Sequence, residues 1–304
     1  IGTRLVHRTY CCNVLMMENT VMDLLVGATT MRGRAVGAVS LPGGREITIY
    51  AVRPVAMLLA ATPQADRLAA MAARQCYSAG SVLDLPQPLT PKQTAHLVNR
   101  VVSAGHTSCI EHNQFVFGVR GISRSCSHQL VRHRVGWSFE QQSQRYVDFS
   151  SQDFVEIVVP PTILRIPDML RSFLEPINAA VRAYFQLRDE RVHQEDARYL
   201  FSNAFETKLI VSANARALLH FFELRTCNLA QWEIRWLAHL MRAELQQAAP
   251  EIFKFAGPTC MTQKICWEGP RGAKCPRLLT TGAELRDRTP ASLGAGAERT
   301  SAVS

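Results

Sequence analysis

Apolar and other positions alternate along 46–52, Glu-Ile-Thr-Ile-Tyr-Ala-Val, with β-branched residues prominent, and this period of two predicts a half-buried strand. Residues 113–120 and 154–159 carry the same signature, the latter stopped by Pro160 and Pro161. Residues 208–212 read as a strand in preference to the approach to a helix. Elsewhere the period lengthens. Helices are expected near 63–77 and 91–104, the second opened by Thr90 as cap and Pro91 in the first turn. Ser123 can cap a helix carrying Arg124, His128, Gln129 and Arg132. Leu170, Leu174, Ile177, Val181 and Phe185 recur at helical spacing over 167–191, where Pro176 should kink or break the helix. A short helix near 195–202 and two more at 214–224 and 230–249 complete the reading.

Strands mixed with long helices, without regular βαβ alternation and without a GxGxxG or P-loop fingerprint, predict an α+β fold. Its sheet should be mixed or antiparallel and its architecture outside the Rossmann class. Residues 1–45 lack a clear period, end in a turn at Leu41–Gly44, and read as a poorly packed extension. Residues 46–256 read as the main domain and 257–304 as a tail short of large apolar residues.

Charge refines this picture. The net charge is +9, but each terminal segment contributes +3, so residues 46–257 carry only +3. That is too dilute for a polynucleotide groove, whereas a phosphate-bearing small substrate needs only two or three placed arginines. The longest uncharged stretch, 54–65, is 12 residues, well short of the roughly 20 needed to span a bilayer. Near the start, Arg4 and Arg8 precede apolar residues that Glu18 and Asp23 interrupt, which argues against a secretory signal and for a cytoplasmic protein, with an organellar-targeting role for 1–45 left open. Nine cysteines then suggest thiols or a metal site in preference to a disulfide framework.

The chemistry concentrates in two segments. Residues 129–146 pack Arg132, His133, Arg134 and Arg145 among Gln129, Gln141, Ser143 and the aromatics Trp137, Phe139 and Tyr146. Residues 214–225 place Arg216 and His220 four apart on one helical face, where both can present donors to one ligand, with Asn214 in the first turn. Taken singly, an Arg-His-Arg triplet is a solvated basic face and the second segment an ordinary amphipathic helix.

Together, in this order, they resemble the flavin-dependent thymidylate synthases, whose signature is Arg-His-Arg, then Ser and Arg-Tyr. This chain has eight residues between the triplet and Ser143 where the family usually has seven, an insertion placed in a loop at Val135–Trp137. Ala72-Ala-Arg74 and His106 through Glu111-His112 resemble two further family segments, so the likeness spans about 46–256. The resemblance implies that Ser108, Glu111, Arg132, His133, Arg134, Asn214, Arg216 and His220 contact FAD. His220 stands where some members have Asn, and Leu229 where some have His. Gln129, Gln141, Ser143, Arg145, Arg198 and Arg225 would hold dUMP, with Gln141 in place of a common Glu. Arg225 is the candidate for stabilising charge on the pyrimidine as C5 becomes nucleophilic.

The resemblance further implies methylenetetrahydrofolate as carbon donor, NADPH as reductant, a homotetramer, and neither nucleic-acid nor membrane partners. No cysteine nucleophile is needed, so Cys76, Cys109 and Cys126 read as buried small apolar residues. For the tail two readings stand: Cys227, Cys260, Cys266 and Cys275 form a structural zinc site, as in a subset of the family, or the thiols are free. Two rival functions also stand. A basic nucleotide- or RNA-binding protein would be colourless and bind RNA in a salt-sensitive way; a flavin oxidoreductase without carbon transfer would hold flavin and form no dTMP.

Overall fold

A computed structural model of the chain describes residues 33–81, 83, 89–268, 272 and 275. Arg4, Arg8, Glu18 and Asp23, and the tail from 276 on, lie outside the described residues, as does any targeting role they would carry. Among the described residues, seven strands alternate irregularly with helices: β1 (Arg34–Ser40), β2 (Glu46–Ala51), β3 (Val55–Ala61), β4 (Gln114–Ser123), β5 (Trp137–Gln141), β6 (Phe154–Ile157) and β7 (Glu206–Asn214). They form one sheet of order β1-β2-β6 and another of order β3-β4-β7-β5. The first is mixed, since β1 runs antiparallel and β6 parallel to β2. The fold is α+β, as expected.

The chain divides into two compact units. One comprises the described residues up to Ala56 with Gly118–Arg132 and Phe139–Val211; the other comprises Met57–Phe117, His133–Ser138 and the described residues from Ser212 on.

In the first unit, the period of two in β2 does what it predicts: Ile47, Ile49 and Ala51 are buried and the intervening residues are not. The helix Pro167–Asp189 packs on β1 and buries Leu174, Ile177, Val181, Tyr184 and Phe185 along one stripe. It runs unbroken through Pro176, against expectation. Proline removes one backbone hydrogen bond, and each of these large side chains returns about 1.5–3 kcal/mol on burial, so the stripe wins. Residues 34–40, inside the segment read as unpatterned, form β1, paired with β2 in the register Val39↔Ile47. Ser123 caps the helix Arg124–Leu130 by accepting from Cys126 N at 3.0 Å; the helix ends before Arg132, shorter than expected.

In the second unit, Thr90 and Gln93 form a reciprocal capping box on the helix Pro91–Ser103. The helices Ala215–Arg225 and Trp232–Ala248 bury Phe221, Phe222, Ile234, Leu237 and Met241. No helix among the described residues is long and apolar enough to cross a membrane. Cys109 and Cys126 are buried, but Cys76 is exposed at the end of the helix Ala65–Gln75, contrary to its reading as a core residue.

The first unit is tied together by Asp148. Its carboxylate accepts from Arg188 Nη2 at 2.6 Å, Tyr184 Oη at 3.2 Å, and Ser150 N and Oγ at 2.9 and 2.7 Å. The Arg188 bond, more than any other cause, holds this carboxyl well below the usual carboxylate range. A carboxyl whose folded pKa lies below its unfolded value of roughly 3.9 contributes stability that is complete above that value and lost as pH falls. Asp148→Asn should therefore cost about 2 kcal/mol in urea unfolding at neutral pH. The gap to the native chain should narrow as pH falls toward about 2; a gap constant over that range would contradict the assignment.

Candidate functional site

The helix Ala215–Arg225 is set by its first residues. Asn214, the last residue of β7, accepts from Ala217 N through Oδ1 at 2.8 Å, and its own N donates to Gly136 O at 3.1 Å. Ala215 N donates to Asn113 O at 3.0 Å, so strand-to-helix direction is fixed by three bonds. Gly136 has φ +75°, and a Cβ there would lie 2.7 Å from Asn214 Nδ2. The inserted loop is thus a glycine turn held against the helix cap, and Trp137 after it begins β5 instead of remaining in the loop.

Beside this cap the second unit holds a cavity of about 810 Å³. Glu111, Asn214, Arg216 and His220, from the expected flavin set, line it. Arg216 Nη1 is paired with Glu111 Oε1. Ser108 lies in the adjoining 3-10 turn Thr107–Ile110, next to the lining residue Thr107; His133 and Arg134 precede the lining residue Val135. Arg132 belongs to the other unit.

His133 bridges to the far end of the same helix. Its Nε2 accepts from Arg225 Nε at 3.0 Å, and its ring lies edge-on to Phe221 at 5.0 Å and tilted to Trp137 at 5.9 Å. Burial, the Arg225 charge and His220 push it down to about 4. It is therefore neutral at physiological pH, and an acceptor Nε2 puts its hydrogen on Nδ1.

In the first unit, Arg145 and Arg198 converge on Glu195. Arg145 Nε donates to Glu195 Oε2 at 2.6 Å and Arg198 Nε to Glu195 O at 3.0 Å. Arg145 also stacks over the Tyr146 ring at 5.4 Å. Ser143 Oγ accepts from Arg145 N at 3.2 Å, fixing the turn that presents it. Gln141 Nε2 is engaged inward, donating to Ser127 Oγ at 3.1 Å and Thr207 Oγ1 at 2.9 Å. Gln129 is half-buried on the helix Arg124–Leu130. Arg124, which the sequence reading placed on this helix without a role, has its pKa lowered by burial and by the like charge of Arg198. Like charges that sense each other in this way favour a nearby anion.

The structural zinc expected of Cys227, Cys260, Cys266 and Cys275 is not supported. Among the described residues no group of three or more His, Cys, Asp or Glu could hold a metal ion. Cys275 Sγ accepts from Asn228 Nδ2 at 3.5 Å, and burial pushes the Cys227 thiol up. Of the tail's described residues, Cys275 lies against Asn228, shortly before the helix Trp232–Ala248, and its thiol is free.

Residues 57–251 match the family described as thymidylate synthase complementing protein. A flavin-dependent thymidylate synthase of Geobacter sulfurreducens is 45% identical over 230 residues, covering 76% of this chain and 97% of that protein. One from Clostridium tetani is 40% identical over 228 residues, covering 70% and 90%. Among solved structures, the UMP/dUMP methylase PolB from Streptomyces cacaoi, bound with 5-Br dUMP, superposes with a TM-score of 0.58 over 68% of this chain and 95% of that one. At 24% identity, this likeness speaks for the fold. The ordered motifs lie within the matched span, and relatives of this identity are covered almost end to end. The chain therefore belongs to the flavin-dependent thymidylate synthases, a family of methyltransferase enzymes.

Proposed function

We propose that the protein methylates dUMP to dTMP, with methylenetetrahydrofolate as carbon donor, FAD as bound flavin and NADPH as reductant. The observation that carries this reading is the cavity beside the Asn214 cap, lined by Arg216, which pairs with Glu111, and by His220. Its volume of about 810 Å³ suits a cofactor, and the Arg216 fork suits the oxygens of a pyrophosphate. When bound, the flavin supplies the hydride that completes the methyl group. Ser108, His133, Arg134 and Arg132 complete the proposed contacts to it.

On the nucleotide side, Arg145 and Arg198 would take the phosphate, with Ser143 and Gln129 beside them and Arg124 adding charge. The Streptomyces cacaoi methylase, solved with a brominated dUMP, supports a uridylate in this role. Gln141, its nitrogen already bound inward, has its carbonyl oxygen to offer as an acceptor. Arg225 would place positive charge against the carbonyl-nitrogen edge of uracil. Because His133 stays unprotonated down to about pH 4, its bond to Arg225 Nε persists through neutral pH and holds that charge in one orientation. We extend the reading to a catalytic domain over 46–256 and a homotetramer, as the family resemblance implies, and to a cytoplasmic location, on the interrupted apolar run near the start of the chain.

The test is dTMP formation by the purified full chain from dUMP, methylenetetrahydrofolate and NADPH. A yellow protein that forms no dTMP under these conditions would instead fit a flavin oxidoreductase without carbon transfer. Arg225→Ala should lower dTMP formation by about 10³ or more while FAD affinity changes little; normal turnover by this variant would sink its proposed role.

A further inference from the structure

The family match ends at residue 251, yet the cavity is completed by residues after it. Phe255, Thr262 and Gln263 all contribute to its wall. Gln263 also makes a directed contact: its Nε2 donates to Glu223 Oε1 at 3.1 Å. The other oxygen of the same carboxylate lies 3.3 Å from His220 Nδ1. One carboxylate, engaged at both oxygens, therefore links the tail to an imidazole of the cavity wall.

An ionised carboxylate only accepts hydrogen bonds, so the imidazole nitrogen facing it must carry the hydrogen. In the neutral ring the other nitrogen is then an acceptor. We infer that Glu223, steadied by Gln263, is a positioning residue that holds His220 in the Nδ1–H form, leaving Nε2 to accept from a hydroxyl or N–H of the cavity's ligand. This rests on the flavin reading of the cavity and refines it. His220 was grouped with Arg216 as a donor; the contacts instead divide the labour. Arg216 takes anionic oxygens, and the His220 ring, in its neutral form, takes a donor group, such as a sugar-chain hydroxyl or a ring N–H. The arrangement also makes the segment after residue 251 a working part of the site.

The test uses the full chain with ¹⁵N-labelled histidine, in flavin-free form and above neutral pH, to read the His220 tautomer, together with FAD titration. The native protein should show the Nδ1–H form. Glu223→Ala and Gln263→Ala should move His220 toward the Nε2–H form and weaken FAD binding, the former by about tenfold, as expected for loss of one charge-assisted hydrogen bond. Glu223→Gln, which keeps an acceptor oxygen for Nδ1–H, should restore most of both. The unfolding temperature of each flavin-free variant should match the native chain. A native His220 in the Nε2–H form overturns the proposal, as does a tautomer insensitive to Glu223→Ala or a changed tautomer with unchanged FAD affinity. If the native chain binds no FAD, the flavin reading fails, while the tautomer measured without flavin still decides the role of Glu223.

Discussion

The second unit turns on the junction at Asn214. One residue ends β7, caps the following helix through Oδ1 and donates its own N–H to Gly136 O, so the strand, the helix and the signature loop share a single point. From that point 3.6 residues per turn does the rest. Arg216, His220 and Glu223 fall on one face at spacings of four and three, while Leu218, Phe221 and Phe222 are buried. Arg225 ends the helix and meets His133, which stands three residues before Gly136. The loop that begins at His133 is thus tied to the helix at both its start and its end.

Magnitudes show what the charges are for. Arg145 and Glu195 form a short ion pair, but their side chains are 56% and 37% exposed, and pairs of this kind contribute about 0–1 kcal/mol. The pair therefore orients Arg145 more than it stabilises the chain. Asp148 differs in kind: its carboxylate takes bonds from three residues and joins the helix Pro167–Asp189 to the segment before β6. The Arg198 charge lowers the pKa of Arg124, a like-charge repulsion that a nearby anion would relieve. Local electrostatics is thus structural at Asp148, while around Arg198 it is what the proposed phosphate contact would use.

Elements whose burial follows a simple period were legible from the chain. β2 alternates as its burial does, and Thr90, Ser123 and Asn214 cap where their side chains can reach the first turn. β3 was missed because Val55–Ala61 is an unbroken run of apolar residues, which lacks the apolar–polar alternation that marks a half-buried strand. β5 was missed because it lies within the signature, where charge and glycine read as loop. β1 depends on pairing with β2 and shows only one buried residue of its own. Most of the residues proposed for the site come from the two motifs. The Glu223–Gln263 contact could not be read from the chain, since a lone Glu on a helix reads as solvated and its partner is 40 residues away. The zinc reading found no support for a related reason: cysteine spacing alone does not make thiols converge, and among the described residues no metal-holding group forms.

The central claim is that the face of the helix Ala215–Arg225 carrying Arg216 holds a flavin. It is tested most directly by titrating the full chain and its Arg216→Ala variant with FAD, followed by flavin fluorescence. The account predicts saturable binding near one FAD per chain and a loss of at least about tenfold in the variant. A native protein that binds no FAD, or equal binding by both, would contradict it.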